Sequence, residues 1–151
     1  MLCFNVVGLR AVNESYGYQA GDRMLAEVAG LLRHALGEAG MLSRIAGNDF
    51  IYLHKDCSRG QAIHLGEQAQ DQISSFHLEV RPGQYAQVGL SFGVAESSTD
   101  GEPIDELLFA AALATRQQKT SLNAMQIDSK PQALPYSRLR TPASGPLTLV
   151  G

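Results

Sequence analysis

The sequence predicts an α/β (α+β) domain whose helices cover a mixed central sheet, and three of its stretches carry that expectation. The chain opens on a nearly continuous apolar run, Leu2 to Val7, of the kind that fills a central strand buried on both faces. Two later stretches, Asp22 to Leu36 and Ser58 to Phe76, repeat apolar residues every three or four positions, as amphipathic helices do. Between them, Met41 to Ile45 and Phe50 to Leu53 are apolar-rich segments separated by Gly47, Asn48 and Asp49, residues that tolerate the left-handed backbone of a tight hairpin.

Asn5 is the only polar member of the first strand, and Gly8 ends it. In the first helix Leu25, Val28, Ala29, Leu32 and Leu36 form the apolar stripe, Asp22 stands where an N-cap belongs, and Gly37 supplies the stop. After the hairpin, Ser58 starts a second helix that turns Ala62, Leu65, Ala69, Ile73 and Phe76 inward. Leu78 and Val80 mark a short strand that ends near Pro82-Gly83. The run Val88 to Val94 alternates large apolar with small residues, which predicts a strand with one face crowded by a helix or another backbone. Pro103 opens a third helix through Ile104, Leu107, Leu108 and Ala111, and Ala124 to Ile127 reads as a last edge strand.

The chain of 151 residues is 44% hydrophobic and 18% charged, the composition of one globular domain with a real core. Its net charge of -3 gives no basic excess and argues against a nucleic-acid binder. Cys3 and Cys57 are far apart and in no zinc-like spacing, so they read as reduced thiols of a cytoplasmic protein. The apolar run from Met1 to Val7 is much shorter than the roughly 20 residues that span a bilayer, so no membrane contact is expected of this segment. Residues 1–128 form the expected domain. From Ser129 to Gly151, Pro131, Pro135, Pro142 and Pro146 fall among Ser, Thr, Gly and Arg, the composition of a linker or loosely packed tail.

The hairpin also carries a resemblance. Ala46-Gly47-Asn48-Asp49-Phe50, with Arg44 before it, is similar to the Gly-Gly-(Asp or Glu)-Glu-Phe signature of GGDEF domains, the diguanylate cyclase family. Upstream, Asn5-Val6-Val7 stands where that family has Asp-x-Asp at a strand end. Asn13, Gly17, Gly21, Asp22 and Leu25 then follow in the family's register without a gap, and Ser91-Phe92-Gly93-Val94-Ala95 matches a later strand. The resemblance covers Leu2 to Ile127. It implies a GGDEF/nucleotidyl-cyclase-like (ferredoxin-like) fold and a degenerate member of the family that has no leading helix.

It also implies a site that keeps some parts and lacks others. Asn13 and Asp22 match the residues that hydrogen-bond guanine, chemistry that suits a carboxylate facing the base's N1–N2 edge. Each also has a plain structural reading, Asp22 as a cap and Asn13 as a turn residue. The family's Mg²⁺ ligands match Asn5 and Asn48, and two neutral amides are a poor substitute for carboxylates around a hard cation. Phosphoryl transfer depends on that metal, so no catalytic residue is expected to function and neither Mg²⁺ nor any other cofactor is expected to bind well. Val7, Ala46 and Asp49 depart from the pattern as well. Lys119 keeps half of the family's phosphate clamp, whose Arg position is Asn123, and Gly37 and Gly40 stand where an inhibitory Arg-x-x-Asp product site would lie. Gly47, Asn13, Asp22 and Lys119 are therefore the candidate nucleotide contacts. The expected function is an inactive regulatory or sensory module of bacterial cyclic di-GMP signalling that binds GTP or cyclic di-GMP at the vestigial site. Its expected partners are an adjacent domain, such as an EAL phosphodiesterase, in a longer parent and a second copy in a homodimer. The alternatives are a nucleotide-independent interaction scaffold and a weakly active diguanylate cyclase. His34, His54, His64 and His77 show no metal-like pairing, and Ser91 lacks the context of a hydrolase nucleophile.

Overall fold

The computed structural model describes residues 1–97 and 103–128. Its elements run β1 (Leu2–Val7), α1 (Leu9–Tyr16), α2 (Tyr18–Leu36), β2 (Gly40–Ala46), β3 (Asp49–His54), α3 (Arg59–Ser74), β4 (His77–Arg81), β5 (Gln84–Gln87), β6 (Gly89–Val94) and α4 (Ile104–Asp128). Four strands form the central sheet in the order β2-β3-β1-β6, and β4 pairs with β5 as a separate hairpin.

The expected mixed sheet is antiparallel in every pair among the described residues. The reason lies in the connections. Helical crossovers join β1 to β2 and β3 to β6, strands that run the same way, and each crossover leaves room for one antiparallel strand between its ends. The result is the α+β, ferredoxin-like arrangement, with β4 and β5 inserted after α3.

Alternation along β1 sorts the core onto two faces. Leu2, Phe4 and Val6 join Met24, Val28 and Leu32 of α2 and Ile73 of α3 in the main cluster. Cys3 turns the other way and packs with Ala95 and with Ala111 of α4. The alternation in β6 has the same meaning. Leu90, Phe92 and Val94 belong to the main cluster, whereas a Cβ on Gly93 would collide with the α4 backbone at Ala111 and Thr115. Thr115 fastens α4 to the sheet by donating its hydroxyl to the carbonyl of Cys3 at 3.2 Å.

Several expected boundaries move. Asp22 is not an N-cap, because α2 begins a turn earlier behind Gly17, whose φ of 88° glycine adopts without strain. Asn13 is not in a turn but inside α1. Ala124 to Ile127 is not a strand, since α4 runs through it to Asp128; a short apolar run has no period of its own and follows the helix before it. β5 was not anticipated, because Gln84 to Gln87 is polar and exposed at most positions. Ser58 does cap α3, in a box that Gln61 completes. The expected tail, Ser129 to Gly151, lies outside the described residues.

Candidate functional site

The hairpin turn lies against the end of β1, and that placement decides what the site can hold. Pairing of β1 with β3 sets Asn5 opposite Asp49, and the Asn5 carboxamide donates to Asp49 Oδ1 at 2.7 Å. One residue on, Asn48 grips β1 twice. Its side-chain Nδ2 donates to the Val6 carbonyl at 2.7 Å, and its own carbonyl accepts from the Val6 amide at 2.9 Å. Gly47 makes the turn at φ 54°, and Arg44 Nε donates to its carbonyl at 2.8 Å, bracing the loop from the β2 side. A carbonyl and an ionised carboxylate only accept, so both amides must present their NH₂ ends to them.

These donors stand where a cation would need oxygens. The Val6 carbonyl and Asp49 Oδ1 each already accept one N–H bond from these amides. Asn5 Oδ1 is buried without a partner, an arrangement that costs about 1–3 kcal/mol; one neutral oxygen does not make a Mg²⁺ site. Among the described residues no three His, Cys, Asp or Glu side chains gather as metal ligands.

Lys119 and Asp22 line different hollows, while Asn13 lies against Gly21, the residue before Asp22. Asn5, Asp49 and Lys119 share a hollow of about 420 Å³ on the α4 side of the sheet, together with Cys3, Leu108 and Arg116. Burial and the nearby Asp49 carboxylate push the Cys3 thiol up to about 11. Asp22 lines a different hollow of about 310 Å³ between α2 and β2, with Arg33 and Arg44. Asn13 lines neither of these. Its carboxamide is pressed against the Cα of Gly21, where any Cβ would overlap it, and its Oδ1 is buried without a partner. Gly47 is exposed at the hairpin tip.

Sequence reasoning missed Arg33 and Arg116. The signal for Arg33 was present, because Asp22, Ala26, Ala29 and Arg33 fall on one helical stripe. Arg116 precedes Lys119 by three residues on α4 and so shares its face.

Residues 1–124 match the family described as "Diguanylate cyclase, GGDEF domain", and the chain belongs to that family. Among curated proteins, the cyclic di-GMP phosphodiesterase PdeB of Shewanella oneidensis is 35% identical over 131 residues, 85% of this chain and 15% of its own length. The uncharacterized protein y4lL of Sinorhizobium fredii is 28% identical over 134 residues, 87% of this chain and 16% of the relative. The bifunctional diguanylate cyclase/cyclic di-GMP phosphodiesterase MucR of Pseudomonas aeruginosa is 29% identical over 119 residues, 79% of this chain and 17% of that protein. The chain thus spans less than a fifth of the length of these relatives.

Among solved structures, the diguanylate cyclase SiaD of Pseudomonas aeruginosa, crystallised with its activator SiaC, superposes with a TM-score of 0.74 at 25% identity, over 80% of this chain and 45% of that one. The FimX GGDEF domain of the same organism gives 0.73 at 22% identity, over 80% and 74%, a likeness of fold. No helix among the described residues is long and apolar enough to cross a membrane.

Proposed function

We propose that this GGDEF domain is a catalytically silent regulatory module of a cyclic di-GMP signalling protein, one that has lost its metal and retains a guanine-nucleotide site at Asp22. The observation that supports the reading best is the pair of amide contacts, Asn48 Nδ2 to Val6 O and Asn5 Nδ2 to Asp49 Oδ1, each 2.7 Å. Each puts the positive end of an N–H dipole where a metal would supply charge, so the hairpin closes on β1 with no ion. Cyclase chemistry needs a cation to offset the triphosphate and activate the attacking hydroxyl. If each lost electrostatic element costs about 10²–10³ in rate, two losses leave the reaction close to background.

Asp22 supports the binding half of the reading, because its exposed carboxylate can accept the paired N–H groups of a guanine edge. Incubation of the chain with GTP and Mg²⁺ or Mn²⁺ is expected to form no cyclic di-GMP above the protein-free control. Calorimetry with GTP is expected to give heat that disappears in Asp22→Ala. Product formation would overturn the silent reading, and absence of heat at millimolar nucleotide would overturn the binding reading. The scaffold reading draws on a different observation: Phe109 and Leu113, one turn apart on α4, are 73% and 47% exposed.

A further inference from the structure

The hollow between α2 and β2 has a shape and charge pattern that the guanine contact alone does not explain. Asp22, Ala26, Ala29 and Arg33 all line it, at positions i, i+4, i+7 and i+11 of one helix. They therefore form a straight stripe about 16 Å long at 1.5 Å per residue. The stripe is acidic at one end and basic at the other, and the two alanines between leave the middle open. Leu25, Leu42 and Phe50 give it apolar walls, and Arg44 from β2 adds a second guanidinium. Asp22, Arg33 and Arg44 form no ion pair with one another or with any other described residue, so the opposite charges are held apart with space between them.

We infer that this groove binds a guanine nucleoside monophosphate without metal, with the base at Asp22 and the phosphate at Arg33 and Arg44. The inference rests on the guanine-binding reading above and adds the phosphate's place, at the basic end of the stripe beside Arg44. A carboxylate accepts two N–H bonds from the N1–N2 edge of guanine, whereas adenine offers an acceptor at N1 and is repelled. Guanidinium groups fork onto phosphate oxygens and stay charged at any working pH, so they provide the neutralisation that Mg²⁺ provides in an active cyclase. The long side chain of Arg33 covers part of the stripe and the nucleotide spans the rest.

The test is calorimetry on the whole chain in EDTA with GMP, guanosine and AMP, repeated with Asp22→Ala, Arg33→Ala and Arg33→Lys. GMP is expected to bind about tenfold or more tighter than guanosine, and Arg33→Ala to bring GMP down to the guanosine level. Arg33→Lys should recover part of the loss, and added Mg²⁺ should change nothing. Arg33 is exposed, so far-ultraviolet circular dichroism of the variants should match the parent. If GMP binding vanishes in Asp22→Ala but ignores Arg33→Ala, the groove inference fails and the base reading stands. If AMP binds as well as GMP while Arg33→Ala abolishes both, the base assignment fails. If no guanine compound binds, both fall.

Discussion

Asn5 and Asn48 turn nitrogen toward Asp49 Oδ1 and the Val6 carbonyl, and so tie the hairpin to β1 by hydrogen bonds. Cys3 lies two residues before Asn5 on β1. Its thiol sits at 6% exposure, and burial, with Asp49 assisting, raises it to about 11 from 9.0. Tyr52 is raised too, by burial, against a lowering contribution from the Gly40 backbone, and its hydroxyl donates to the Leu36 carbonyl at 2.9 Å. Both groups are neutral acids that the fold keeps protonated, so in alkali the native state holds more protons than the unfolded one. Their contribution is constant while both states keep the proton and is lost as pH rises from the unfolded thiol value near 9.0 toward 11. Urea melts are therefore expected to show stability falling between pH 9 and 11, with a shallower fall in Cys3→Ala after correction for its lower baseline. An equal fall in that variant would mean that the thiol has no part in it.

The packing of α4 on β6 depends on small residues in the strand. Gly93 lets the backbone at Ala111 and Thr115 approach the sheet, and Gly93→Ala is expected to cost about 1–3 kcal/mol, because a helix backbone cannot turn aside as a side chain can. Chemical denaturation measures this, and a loss below about 0.5 kcal/mol would mean that α4 shifts freely. This contact was legible in the sequence, where Gly89, Ser91 and Gly93 alternate with Leu90, Phe92 and Val94. So were β1, the hairpin and the Ser58 cap, since each depends on local chemistry. The start of α2 was not legible. Asp22 is an attractive cap residue, but Ala20 and Gly21, immediately before it, are buried, and tertiary packing extended the helix past the local signal. The strand expected at Ala124 to Ile127 failed for the same reason in reverse.

The site was legible in part. Register with the family marked Asn5, Asn48 and Asp22 for attention, but only their contacts show that the amides bond to β1 and to Asp49 and that Asn13 faces Gly21. The helical spacing put Arg33 on the Asp22 stripe, but that β2 lies across it, with Leu42 and Arg44, is a long-range placement that no spacing encodes. The domain has the fold of its family. Some of the relatives of which it spans less than a fifth are named for cyclic di-GMP synthesis or breakdown.

The account rests on the two amides excluding a divalent ion, and Mn²⁺ binding followed by electron paramagnetic resonance tests that most directly. The natural chain is expected to leave millimolar Mn²⁺ free in solution. Asn5→Asp combined with Asn48→Glu should take up one ion, with a thermal midpoint that rises with Mn²⁺ concentration because the ion binds only the folded state. Saturable binding of Mn²⁺ by the natural chain, lost in Asp49→Ala, would contradict the account.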